Sequence, residues 1–398
     1  MQTSAGLLTY CSNIHTGEDW QHHFAVLQKS IPVIKQQVSP QNAFGIGLRL
    51  ANQASIDLSE KENLDKLKTW LTQNNCYVFT MNGFPYGGFH NTVVKDQVHA
   101  PDWTTQDRVA YTIRMFRILA EILPDDLSEG GISTSPLSYR FWWKTSKDLQ
   151  EATVLATQNM LVVLDELVAI KKTTGKSLHL DIEPEPDGIL ENSPEFITWY
   201  QEVLLPLGIQ HFAQKGIDEA LAKTYIYEHI QLCYDVCHFA VSYEEPAEVI
   251  QKLEELGIKV GKIQISSALK VDFSDNPTEK LAAIARYDEP SYLHQVVARK
   301  ADNTFVKYPD LGEALLAAQS VQFAEWRVHF HVPLFIEHYG LLSSTRQEIE
   351  KTLAIQKLKP FTAQLEIETY TWGVLPADYQ APLDESIIRE IAWVKSIL

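Results

Sequence analysis

Apolar and polar residues alternate with period two in short runs, and between those runs apolar residues recur every three to four positions, through most of the 398-residue chain. The period-two runs predict strands at 7–14 (LLTYCSNI), 43–50 (AFGIGLRL), 76–82 (CYVFTMN), 130–135 (GGISTS) and 177–183 (SLHLDIE). Further strands are expected at 230–236 (IQLCYDV), 259–266 (KVGKIQIS), 327–335 (RVHFHVPLF) and 364–370 (QLEIETY). Between them the helical period is plain: in TQDRVAYTIRMFRILAEIL, residues Val109, Ile113, Phe116, Ala120 and Leu123 share one face. Gly175 and Gly257 stand where helices should end in a left-handed turn. Repeated β-then-α units of this length predict an α/β fold, a parallel sheet closed into a (β/α)8 TIM barrel. The rival is an open doubly wound sheet. No GxGxxG follows the first strand and no GxxxxGK[ST] occurs, which counts against its nucleotide-binding forms.

Nine strands for eight barrel positions leave one extra. The interval between Ser266 and Gln364 is too long for an ordinary connection. It holds a hairpin-like stretch, LHQVVARKADNTFVKYPDL, turning near Asp302 and Asn303, then a short helix and RVHFHVPLF. We read 1–398 as a single TIM barrel domain, with an insertion over 267–361 at the barrel top and QLEIETY as the last barrel strand.

Charge and cysteine content narrow the partners. With 34 basic and 51 acidic side chains, the net charge of −17 disfavours nucleic acid and anionic membrane surfaces. The four cysteines form no CxxC pair, and Cys233 and Cys237 lie too far apart along a strand to bridge, which fits a reducing cytoplasm. The N-terminus has no signal-peptide pattern, and no apolar run approaches the ~20 residues that span a bilayer. A soluble, cytoplasmic protein acting on a small molecule is expected.

Strand alternation then locates the chemistry, because barrel active sites lie at the C-terminal ends of the strands. In SLHLDIE, His179, Asp181 and Glu183 share the inward face, with Glu183 at the rim. The same reasoning brings Asp235, Gln264 and Glu368 to the rim of the next three barrel strands, with His238 just after Asp235. Converging carboxylates repel one another, and the usual remedies are a divalent cation or raised pKa values. A cation of the Mn2+, Mg2+ or Zn2+ type would take oxygen ligands from Glu183, Asp235, Glu368 and the Gln264 amide. His329 and His331 share a face of their strand, so the insertion can bring His331 to the same site.

Glu183, the D-x-x-H of Asp235 to His238, and Glu368 together resemble the xylose isomerase-like barrel superfamily. More narrowly, TYCSNIHTGEDW, LHLDIEPEPDG, YDVCHFAV, KIQISSAL, RVHFHVPLF and LEIETYTWGVLP resemble the EboE family of metabolite traffic proteins. The resemblance implies a metal-dependent barrel in secondary metabolism, working with proteins encoded in the same gene cluster. It also implies a Glu, Asp, His, Glu ligand set, from which this chain departs at Gln264; the amide oxygen, His238 or His331 would then fill that position.

The early strands supply a second group: His15 after the first, Arg49 ending the second, Asn82 ending the third, and His90 in the glycine-rich loop that follows. These are the expected substrate contacts. Proton abstraction beside a carbonyl, with Glu183 and Glu368 as base and acid, is the reaction carried by analogy with the superfamily. A non-catalytic metabolite-binding barrel and a metal-dependent hydrolase are the alternatives.

Overall fold

The computed structural model describes residues 1–88 and 92–398. Eight parallel strands form the barrel: β1 (Gly6–Tyr10), β2 (Phe44–Arg49), β3 (Cys76–Asn82), β4 (Glu129–Thr134), β5 (Ser177–Ile182), β6 (Ile230–Asp235), β7 (Val260–Ile265) and β8 (Gln364–Ile367). From β2 to β8 each strand pairs with the next in chain order, and β8 pairs with β1. The seam between β1 and β2 closes through a parallel bridge from Cys11 to Gly47. Thr9 reinforces it: its Oγ1 donates to the Gly45 carbonyl (2.7 Å) and accepts from the Gly47 amide (2.9 Å). A two-residue strand, Gln2–Thr3, lies antiparallel to β1.

The period-two pattern has a clear physical outcome. Leu8, Leu180, Ile182, Leu232, Ile263, Ile265, Leu365 and Ile367 face the surrounding helices and are buried in one continuous apolar core. The opposite faces fill the barrel with polar side chains, among them Thr9, His179, Asp181, Lys262, Gln264 and Glu366, also fully buried. Glycines make this possible at two close approaches: a Cβ on Gly261 would sit 1.9 Å from Asp181 Oδ1, and one on Gly47 would sit 1.9 Å from Glu366 Oε1.

Strands end earlier than the apolar runs suggest where the chain turns at once into a helix. The first stops at Tyr10 because Ser12–Ile14 forms a 3-10 turn, and β6 stops at Asp235 because its carboxylate caps the helix Val236–Val241. The helix Gln106–Ile122 lies on the expected face, and Gly175 (φ 77°) ends the helix Ser146–Thr174. That helix does have the length and apolarity of a bilayer span, contrary to the reading from apolar runs, although 56% of its most apolar window is buried within the protein. The cause is its core position: Ala156, Met160, Val163, Leu164 and Leu167 pack into the apolar core.

Between β7 and β8 the chain builds a second, antiparallel sheet of six strands. Their order is Phe305–Tyr308, Val296–Arg299, Glu325–His331, Ala268–Asp272, Leu342–Ser344 and His338–Tyr339. Asn303 (φ 63°) turns the hairpin near the expected position. The following helix, Arg346–Leu358, packs beside the helix Pro246–Glu255 in the outer helical layer.

Candidate metal centre and cavity

Glu183, Asp235 and Glu368 converge at the rim, with one oxygen from each within 4.8 Å of the others, all buried. Gln264 lies between them. Its Nε2 donates to Glu183 Oε1 (3.1 Å), Asp235 Oδ2 (3.2 Å) and Glu368 Oε2 (2.5 Å), while its Oε1 accepts from the Cys233 thiol (3.0 Å). A primary amide has only two hydrogens for these three carboxylates.

The three carboxylates differ in their remaining partners. Asp235 Oδ1 accepts from the Ser266 hydroxyl (2.6 Å) and the His238 amide (3.1 Å). Glu368 Oε1 accepts from the side-chain amides of Asn13 (2.7 Å) and Asn82 (2.9 Å). Glu183 Oε2 is buried without a hydrogen-bond partner among the described residues. Burial first, then Glu368 and Asp235, raises the Glu183 pKa well above the carboxylate range. Burial first, then Asp235, pushes Glu368 up to about 8. Three amide donors oppose protonation of Glu368 and only one opposes it on Glu183, so Glu183 holds its proton the more firmly.

This donor set fits a divalent cation. Three carboxylate oxygens already lie close together with a deficit of positive charge, and an orphaned oxygen is present on Glu183. The obstacle is the Gln264 amide nitrogen. Rotating that amide by a half-turn would present Oε1 to a cation and leave Nε2 facing the Cys233 sulfur, itself a weak acceptor.

An imidazole layer lies against the carboxylates. His238, His329 and His331 have ring centroids 4.6 to 5.6 Å apart. His238 Nδ1 is 3.8 Å from Glu183 Oε1, and His331 Nδ1 is 3.9 Å from Glu368 Oε2. A register shift between Val328 and His331 helps aim the two insertion histidines. Burial lowers His238, takes His331 to about 4, and lowers His329 well below the usual range, so all three are neutral at pH 7.

A cavity of about 60 Å³ opens between these groups. Glu183, Glu368, Asn13 and Asn82 line it from the barrel, and His99, Lys95, Glu185, His238, Tyr292, Gln295 and His329 from loops and the insertion. Lys95 ties the loop wall to the insertion through Asp310 (2.6 Å).

Of the expected substrate contacts, only Asn82 is among these lining residues. His15 turns instead to the Tyr10 hydroxyl (2.8 Å), and Arg49 donates to the carbonyls of Pro85 (3.3 Å) and Gly87 (2.5 Å). His90 lies outside the described residues. Asn13, His99, Glu185, Tyr292 and Gln295 are among the lining residues that sequence reasoning did not select; of these Asn13 had a signal, since it continues the inward alternation of Thr9 and Cys11.

No family model and no curated protein sequence matches the chain. Among solved structures it is similar to a xylose isomerase-like TIM barrel protein from Mycobacterium smegmatis in complex with magnesium, at 10% identity over 100% of this chain and 98% of that chain, with a TM-score of 0.47. It is similar also to the 3-keto-D-glucoside 4-epimerase of E. coli, at 11% identity over 98% of each chain, TM-score 0.44. A third is the IolI protein with a bound zinc atom, at 11% identity over 98% of this chain and 96% of that chain, TM-score 0.44.

Proposed function

We propose that the chain is a divalent-cation-dependent, sugar isomerase- or epimerase-like enzyme acting on a small polyol-like compound or secondary-metabolite precursor. The observation that carries this reading is the convergence of Glu183, Asp235 and Glu368 on one cavity with too little positive charge to balance them. Glu183, Asp235 and Glu368 would hold the cation, with the Gln264 amide oxygen turned inward. A bound Mn2+, Zn2+ or Mg2+ would polarise carbonyl and hydroxyl oxygens of the substrate. With a cation bound to balance its charge, Glu368 would be the anion that takes the proton from the carbon beside the carbonyl. Glu183, which holds its proton the more firmly, would return one to the resulting enediol, and the pair would exchange roles in the reverse direction. The EboE resemblance supports a place in metabolite traffic, in the cytoplasm, with partners encoded in the same cluster.

A second reading has its own observation. The Gln264 nitrogen lies within 3.2 Å of all three carboxylates, the position a cation would take, as in a barrel that binds a metabolite without chemistry. One pair of measurements separates the two. Chelator-stripped protein is melted with and without Mn2+, and a panel of ketoses is incubated with it in D2O and followed by proton NMR. The enzyme reading expects a Mn2+-dependent rise in Tm and deuterium uptake beside the carbonyl, reduced by ~10²–10⁴ in Glu183→Gln and Glu368→Gln. A Tm unmoved by Mn2+ or Zn2+, with no exchange, leaves the binding reading.

A further inference from the structure

The carboxylate cluster does not use the imidazoles beside it, and their hydrogen bonds are arranged in a way that packing alone does not require. The Pro184 carbonyl can only accept, so His238 Nδ1 must donate to it (3.0 Å), and Nε2 keeps its lone pair. His329 is fixed at one further remove. Gln295 Nε2 donates to the Pro186 carbonyl (3.2 Å), which orients the amide so that its Oε1 accepts from His329 Nδ1 (2.8 Å). His329 Nε2 is thereby left with a lone pair and has no hydrogen-bond partner among the described residues, although the residue is only 5% exposed. Glu185 completes the group. One ligand atom from each of Glu185, His238 and His329 lies within 4.8 Å of the others, and all three residues line the cavity. Glu185 Oε1 is also 3.2 Å from His99 Nε2, so a ligand here would compete with that contact.

We propose that Glu185, His238 and His329 form a second cation site, distinct from Glu183, Asp235 and Glu368, that takes a zinc-class divalent ion. Two imidazole nitrogens and one carboxylate oxygen suit Zn2+ or Co2+ better than Mg2+, and three protein ligands leave a coordination position open to the cavity. The carbonyl acceptors behind His238 and His329 are the outer-shell partners that fix a metal-binding tautomer. His329 comes from the insertion and Glu185 from the loop after β5, so a bound ion would pin the insertion to the barrel. The site stands without the isomerase reading.

The test uses the full-length chain, stripped by chelator and loaded with Zn2+ alone. X-ray absorption should find two imidazole nitrogens at ~2.0 Å around the zinc. His329→Gln should remove one imidazole from that shell and weaken Zn2+ binding about 10- to 100-fold in a competition titration. The Glu183→Gln/Glu368→Gln double variant should keep both imidazoles, with affinity within about threefold of wild type, which RT ln 3 makes a small effect. An oxygen-only zinc shell in the wild type overturns the proposal and leaves the isomerase reading standing, as does undiminished affinity in His329→Gln. Absence of bound zinc overturns it as well. If His329→Gln fails to fold, the wild-type shell alone decides.

Discussion

In the lower half of the barrel, Lys262 and Glu366 meet at 2.5 Å with no exposed surface, and Lys262 also donates to the Met81 carbonyl (3.1 Å). His179 there bonds Asp181 (2.6 Å) and approaches Glu129 (3.4 Å). At the rim, Glu183, Asp235 and Glu368 converge with an amide as their common partner and, among the described residues, no lysine or arginine bonded to them. Both regions bury carboxylates on the inward faces of the same strands: Glu366 and Glu368 are two residues apart on one run. Below, the protein supplies the counter-charge itself, so the region is a structural plug. At the rim it supplies neutral donors and neutral imidazoles, and the missing charge has to come from a proton or a ligand. A buried carboxylate is thus informative about function only once its partner is known.

The largest expected effect lies below. Lys262→Met leaves Glu366 buried without its ammonium partner and should cost ~3–5 kcal/mol of unfolding free energy. Urea unfolding at pH 7 reads it directly. A loss under about 1 kcal/mol would mean that water or rearrangement reaches Glu366, and the contrast between a sealed plug and an open rim would break.

The next effect separates the two regions by pH. Glu368 has its pKa raised from 4.5 to about 8, so the folded protein binds a proton that the unfolded chain has released. The associated stability is fully present below about 4.5 and is lost as pH rises through about 8, at up to ~1.4 kcal/mol per pH unit. Glu183 acts in the same direction. His179 gives the same sign in a later window: burial opposes its charge, but Asp181 and Glu129 outweigh that and lift it from 6.5 to about 9. Metal-free Glu368→Gln should therefore match wild type at pH 5 and exceed it by ~1–3 kcal/mol at pH 8, while keeping the decline toward pH 9. Urea-unfolding free energies at pH 5, 7, 8 and 9 test this; a flat wild-type profile between 5 and 8 would remove the rim's charge deficit.

Much of this contrast could be read along the chain, because alternation along a strand fixes which side chains enter the barrel. It brought His179, Asp181 and Glu183 inward together, and it put Asp235, Gln264 and Glu368 at one rim. Alternation fails where the strand ends. His15 lies past a 3-10 turn and points to Tyr10, and Arg49 is taken by loop carbonyls. Glu185, His99 and Gln295 sit on loops whose positions depend on contacts far apart in sequence, such as Gln295 to Pro186, and no local period encodes those. Nor could the chain reveal which way the Gln264 amide faces. That depends on Cys233 and three carboxylates on neighbouring strands.

The smallest effect sharpens the comparison at that amide. If Gln264 acts as the rim's stand-in for a cation, then Gln264→His removes its two-hydrogen donor and offers a nitrogen lone pair in its place. The metal-free variant should be less stable than wild type by ~1 kcal/mol, because the carboxylates lose a shared donor. Its affinity for Mn2+, an ion that favours the oxygen-rich set over the imidazole layer, should rise by about 10-fold, equivalent to ~1.4 kcal/mol. Titration of free Mn2+ by electron paramagnetic resonance measures that change, and Lys262 and Glu366 below should not respond to it. Unchanged Mn2+ affinity in Gln264→His would mean that the amide is not what keeps a cation from the three carboxylates. The rim would then be balanced by protonation of its carboxylates, and the two halves of the barrel would differ only in whether a proton or an ammonium offsets the negative charge.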